Sequence, residues 1–161
     1  MLDYPGKISC IVFTAGCNFR CGYCHNPEFV LPEQLQKIKK SFIPEDVFLK
    51  FLDQRIGKLD GVVITGGEPT MHHDLRSFIS RIKEKGFQVK LDTNGNNPMV
   101  LEELLASKLI DYVAMDVKTD SANYLDLVGG CADAEHIEES IRMLIHSRIA
   151  DEFRSTLIRE I

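Results

Sequence analysis

The sequence lacks any long apolar run. Its longest are strand-length, far short of the ~20 residues that a membrane-spanning helix needs, so a membrane span is not expected. It also lacks a basic excess. The net charge is −5 with no basic block, which offers no electrostatic footprint for nucleic acid. The opening Met1-Leu2-Asp3-Tyr4-Pro5-Gly6-Lys7 has no basic stretch followed by an apolar one. No export signal is read there, and a cytoplasmic location is expected. No repeat or low-complexity tract is visible. The cysteines do not form an even set: there are five, three of them within eight positions. Without an export signal that argues against a disulfide framework. Reduced thiolates binding a metal or a cluster are the better reading.

What is present fits one soluble globular domain over all 161 residues, with 44% hydrophobic and 27% charged side chains. A chain of this length can bury a substantial core. Two periodicities alternate. Residues 7–14 (K-I-S-C-I-V-F-T) read as a first strand, and a long loop over 15–42 holds the cysteine cluster. A helix is expected over 44–55, with Pro44 in its first turn and Val47, Phe48, Phe51 and Leu52 inward. A second strand is expected over 61–65, then a helix over 74–85, capped by Asp74, with Leu75, Phe78, Ile79 and Ile82 inward. The third strand is 88–92, followed by a helix over 98–108 with Val100, Leu101, Leu104 and Leu105 on one side. The fourth strand is 111–117, followed by a helix over 134–147 with Ile137, Ile141, Leu144 and Ile145 inward, and the fifth strand is 153–158. Such alternation implies right-handed βαβ units and a parallel sheet. A closed eight-fold barrel needs roughly 250 residues, so the expected class is α/β, a partial (β/α) barrel or open sheet with five strands.

Cys17-Asn18-Phe19-Arg20-Cys21-Gly22-Tyr23-Cys24 has the spacing C-x3-C-x2-C. Three thiolates from one loop can hold three irons of a [4Fe–4S] cube and leave the fourth open to a small molecule. A structural zinc site normally has four protein ligands. His25 is the candidate fourth, though its adjacency to Cys24 makes joint ligation awkward, and no second cysteine pair follows. Both centres stay open on spacing alone.

The segment from Cys17 to Asn26, C-x3-C-x-Y-C-H-N, resembles the signature of radical S-adenosylmethionine (SAM) enzymes, and in particular of the activating enzymes of glycyl-radical proteins. The resemblance implies a cluster on Cys17, Cys21 and Cys24 whose free iron is chelated by the amino and carboxylate groups of SAM. It further implies one-electron cleavage of the sulfonium to methionine and a 5′-deoxyadenosyl radical.

Other motifs extend the likeness. Thr65-Gly66-Gly67-Glu68-Pro69 follows the second strand. Its glycines permit close backbone approach to a ligand, and Glu68 can accept from an ammonium. By itself it reads equally as an ordinary glycine turn with a solvated glutamate or as a ligand loop; by resemblance it is the G-G-E-P motif that contacts the SAM amino group. Asp92-Thr93-Asn94-Gly95 is locally a turn, and by resemblance the D-T-N-G motif close to SAM. Asp116 and Lys118 share one side of a strand. They resemble the D-x-K motif, with Lys118 suited to the methionine carboxylate. Arg154 in Phe153-Arg154-Ser155-Thr156 is a surface arginine or, by resemblance, reaches SAM. Tyr23 and His25 match positions that border the adenine. All but Arg154 fall at or beyond strand C-terminal ends, which share one edge of a parallel sheet. Arg154 begins its expected strand.

Other candidates look structural. Cys10 is expected in the core, Cys131 to be an inert loop thiol, His72 and His73 to be solvated, and His136 and His146 to be helix residues. Phe19 and Arg20 are expected to pack the cluster loop and shield it. The opening L-D-Y-P-G-K-I-S, C-H-N-P-E and the Y-L-D-L-V-G stretch from Tyr124 most resemble activating proteins of anaerobic ribonucleoside-triphosphate reductases. That resemblance implies a glycyl-radical enzyme as protein partner, namely anaerobic ribonucleotide reductase. It also implies a reductant such as flavodoxin or ferredoxin, and a further strand-helix unit that is missing here. The alternatives are a radical SAM enzyme acting on a small molecule or peptide, and a non-catalytic zinc- or cluster-binding module.

Overall fold

The β-branched runs become parallel strands because each is followed by an amphipathic segment long enough to return the chain to the same sheet edge. A computed structural model describes residues 3–129 and 132–157. In chain order the elements are β1 (Ser9–Thr14), α1 (Pro32–Ile38), α2 (Glu45–Asp53), β2 (Gly61–Gly66), α3 (Leu75–Glu84), β3 (Gln88–Thr93), α4 (Pro98–Ala106), β4 (Tyr112–Asp116), α5 (Tyr124–Val128), α6 (Ala134–His146) and β5 (Ala150–Arg154). The sheet order is β1-β2-β3-β4-β5 and every pairing is parallel. This is the α/β, partial-barrel class expected from the alternation.

One sheet face carries the core. Val62 and Ile64, Val89 and Leu91, and Val113 and Met115 join Leu52, Leu75, Ile79, Ile82, Leu101, Leu104, Ile137 and Leu144 in a single buried cluster. Each such side chain contributes about 1.5–3 kcal/mol by leaving water. Strand alternation places Val63, Lys90 and Tyr112 in one row of the opposite face, with Asp92, Ala114 and Glu152 in the next. Among the described residues no helix is long and apolar enough to cross a membrane.

Several expectations are corrected. The loop over 15–42 is not featureless: it contains α1 and the 3-10 turns Pro27–Phe29 and Lys39–Ser41. In α2 the inward residues include Leu49, while Val47 is 49% exposed. In α6, Ile145 is 63% exposed. Both misplaced side chains lie one step around the helix from the buried stripe. Asp74 precedes α3 but makes no capping hydrogen bond. The fifth strand begins and ends earlier than expected, at Ala150–Arg154, and residue 158 lies outside the described residues. Its A-D-E-F-R sequence looks unlike a strand because Glu152 and Arg154 have charged partners on the polar face.

Candidate functional site

Parallel strands bring their C-terminal ends to one edge, where ligands bind in such sheets. A cavity of about 300 Å³ opens at that edge. Cys17, Cys21, Tyr23, Cys24 and His25 line it from the loop after β1; Gly66, Gly67 and Glu68 from the end of β2; Asp92 and Asn94 from β3; Asp116 and Lys118 from β4; and Arg154 from β5. Every residue selected from the sequence for this site therefore borders one cavity. Arg154 is no exception after all, because it ends β5 instead of beginning it. Phe19, Asn26, Val30, Thr65, Thr93 and Thr156 also line the cavity. Thr65 and Thr93 belong to the two glycine-containing motifs already singled out, so their place was legible.

The loop after β2 is pressed onto the loop after β1. Gly67 donates its N–H to Thr14 O at 2.9 Å and Glu68 donates to Gly16 O at 2.8 Å. A Cβ on Gly67 would collide with the Gly16 carbonyl, and one on Gly66, at φ +115°, would collide with the Thr14 backbone. The close approach these glycines permit is thus to the protein's own backbone.

Glu68 is not solvated. It is 1% exposed. Its Oε1 accepts from Thr70 N (3.0 Å), Thr70 Oγ1 (2.6 Å) and Thr93 Oγ1 (2.7 Å), and Oε2 accepts from Asn94 N at 2.7 Å. Burial raises its pKa, and the Thr70, Asn94 and Thr93 donors oppose that rise. The carboxylate splices the β2 loop to the β3 loop. Glu68→Gln would turn an amide N–H₂ toward donors. It is expected to lower stability by about 1–3 kcal/mol, read as a shifted urea midpoint; an unchanged midpoint would show that the four contacts carry no net stability.

The cysteine loop is held from two sides. Asn94 Nδ2 donates to Asn18 Oδ1 at 2.8 Å, and Cys17 Sγ accepts from Phe19 N at 3.4 Å. On the other side the Tyr124 ring meets Phe19 edge-on with centroids 6.2 Å apart, and Arg20 N donates to Val128 O at 2.6 Å. Tyr124 Oη accepts from Lys118 N at 3.1 Å, which ties the same helix to the end of β4. Phe19 is buried as expected, and Arg20 donates to the Cys17 and Phe19 carbonyls at 2.6 and 2.8 Å.

Burial pushes the Cys17 thiol up to about 11, against the opposing Phe19 N–H. Burial also raises Cys21, countered chiefly by the Lys118 ammonium. Binding a cation at these sulfurs must therefore displace protons. Burial, and then the neighbouring Cys21 thiol, push the Tyr23 hydroxyl up to about 12.

Charges alternate along the remaining wall. Lys118 Nζ lies 2.7 Å from Asp116 Oδ2, Arg154 Nε 2.9 Å from Asp116 Oδ1, and Arg154 Nη1 3.1 Å from Asp92 Oδ2. Lys90, which the sequence reading passed over, lies 2.6 Å from Asp92 Oδ1.

Outside the cavity, Cys10 is partly buried against the core. His72 is not a free loop residue: its Nε2 is 2.9 Å from Ala15 O. His73 is exposed, and His136 and His146 are exposed on or near α6. Cys131 lies outside the described residues. Among the described residues no three His, Cys, Asp or Glu side chains form a group that could hold a single metal ion. Cys17, Cys21 and Cys24 all line the same cavity.

The chain matches the model of the radical SAM superfamily over residues 11–158. It is 44% identical, over 89% of its own length, to a protein of Methanocaldococcus jannaschii named as a glycyl-radical enzyme activating enzyme, covering 57% of that protein. It is 35% identical to a pyruvate formate-lyase-activating enzyme of Streptococcus mutans, covering 80% of this chain and 51% of that one. The chain thus spans about half the length of these curated relatives. The fold also superposes on Streptococcus suis SuiB bound to S-adenosylmethionine with a TM-score of 0.69 at 19% identity, covering 100% of this chain and 36% of that one. Family match, parallel topology and a three-cysteine cavity agree, and the chain belongs to the radical SAM superfamily.

Proposed function

We propose that this chain holds a [4Fe–4S] cluster on Cys17, Cys21 and Cys24 and binds SAM in the adjoining cavity. We further propose that it acts as a radical SAM enzyme, installing a glycyl radical on a protein partner of the anaerobic ribonucleotide reductase type. The residues present fit both groups. Among the described residues three thiols and no fourth cysteine line the cavity, which leaves one iron of a cube for an outside ligand. The cluster, once reduced, supplies the electron that breaks a carbon–sulfur bond of the sulfonium.

The protein's own part is placement and exclusion of water. Phe19 and Val30 are buried side chains on the cavity wall and keep water from the sulfurs. Glu68 Oε2 accepts one hydrogen bond, from Asn94 N, and retains a lone pair for the SAM amino group beside Gly66 and Gly67. Lys118 suits the methionine carboxylate, and exchanging Asp116 for it keeps the ammonium paired. Asp92, Asp116 and Arg154 form the polar wall for the ribose, with Asn94 at its edge. Tyr23 and His25 border the adenine. The reductant would be a flavodoxin or ferredoxin.

One juxtaposition supports this most: the C-x3-C-x2-C loop after β1 and the C-terminal ends of β2, β3, β4 and β5 share a single cavity. The names of the relatives support the glycyl-radical partner. The test is anaerobic reconstitution, iron and sulfide analysis, then dithionite-driven turnover of SAM. Near four irons per chain and formation of 5′-deoxyadenosine are expected, with a glycyl radical signal when the reductase is added. Uptake of one zinc ion without 5′-deoxyadenosine would overturn the assignment. Turnover stimulated by a small molecule or peptide, with no reductase signal, would overturn the partner alone.

A further inference from the structure

Lys90 is unused by the site as described. It lies mid-strand in β3 and is 1% exposed, with Val63 and Tyr112 as its register neighbours. An apolar side chain would suit that row, whereas a buried ammonium carries a desolvation penalty that only good pairing offsets. Its Nζ lies 2.6 Å from Asp92 Oδ1, 3.7 Å from Glu152 Oε1 and 5.7 Å from the centroid of the Tyr112 ring. Asp92 is the first carboxylate above it that reaches the cavity. Each Asp92 oxygen has its own cation, Lys90 on Oδ1 and Arg154 on Oδ2, so the carboxylate cannot turn without breaking a pair. Arg154 passes that constraint to Asp116, and Asp116 passes it to Lys118.

We infer that Lys90 is a positioning residue for the cofactor cavity. From beneath the floor it holds Asp92, and through it the Arg154–Asp116–Lys118 file, in the orientation that receives SAM. This role rests on the SAM assignment above. Lys90 touches no ligand itself and acts through Asp92, which separates it from a lysine that only stabilises the fold.

The test is a thermodynamic cycle read by equilibrium dialysis of SAM against the cluster-loaded protein, with iron content and Tm measured alongside. Lys90→Met is expected to weaken SAM binding about tenfold, as loss of a ligand-orienting partner commonly does, with iron content unchanged. Asp92→Asn should weaken it as well, and the double variant should be no weaker than Asp92→Asn alone. Lys90→Gln, which keeps a donor toward Asp92, should recover part of the loss. Additive losses, or unchanged affinity in Lys90→Met even with a lowered Tm, would overturn the role. If Lys90→Met does not fold, Lys90→Gln completes the same cycle under the same criterion. A wild-type protein that binds no SAM rejects the cofactor assignment and this role together; one that binds SAM as tightly as Lys90→Met rejects this role alone.

Discussion

Cys21→Ala is expected to leave the anaerobically reconstituted protein without a stable cluster and without measurable 5′-deoxyadenosine. Cys21 is the middle thiol of the C-x3-C-x2-C run and lines the cavity between Cys17 and Cys24. A cube held at three corners already has one iron without protein; a second bare iron leaves only two anchors. No spare thiol can substitute among the described residues, since Cys10 lies within β1 and packs against the helix-covered core. Cys10→Ala is the matched control. It should retain full iron content and lose about 1 kcal/mol of stability through the small void it leaves. Iron and sulfide per chain, with the visible absorbance of the cluster, decide the matter. Wild-type iron content in Cys21→Ala would reject Cys21 as a ligand.

Gly67→Ala is expected to cost about 3–4 kcal/mol or more, in the range reached only by backbone strain or core disruption. The added methyl would meet the Gly16 carbonyl, not a flexible side chain tip. Relief requires the two loops to separate, and with them the bonds from Gly67 N to Thr14 O and from Glu68 N to Gly16 O. Against a typical total stability of about 5–15 kcal/mol, such a loss is large, and cluster retention should fall with it because Gly16 immediately precedes Cys17. Gly22→Ala, within the cysteine loop, is the contrast. Its Cβ would meet nothing within 4 Å, and its urea midpoint should stay within about 0.5 kcal/mol of wild type. A Gly67→Ala midpoint equal to that of Gly22→Ala would show that the apposition is loose.

The strands and long helices were legible because their periodicities differ and each helix is punctuated by proline, glycine or a polar cap. The cavity was legible for a separate reason: cysteine spacing raised the possibility of a metal or cluster, and the resemblance of the Gly-Gly-Glu-Pro, Asp-Thr-Asn-Gly and Asp-x-Lys segments to family motifs supplied the rest. What stayed hidden depends on tertiary neighbours. The F-R-S-T-L-I run looks more strand-like than A-D-E-F-R, yet the latter pairs with β4 because its charges have partners across the sheet. The burial of Glu68 was not legible because its four hydrogen bonds come from Thr70, Thr93 and Asn94, two of these residues far along the chain. Lys90 was overlooked inside an apolar run, although Lys90-Leu91-Asp92 mirrors Asp116-Val117-Lys118 in spacing and reversed charge. A lysine two positions from a strand-end aspartate was the available clue.

The sheet order has a consequence for biosynthesis. Because each strand pairs with the one made just before it, the sheet can assemble in the order of synthesis as the chain leaves the ribosome. β5 docks last, and Arg154 arrives with it to bridge Asp92 and Asp116. Until then two neighbouring acidic side chains lack their shared counter-charge. In that order of assembly the thiol loop precedes the opposite wall, which is complete only once β5 has docked.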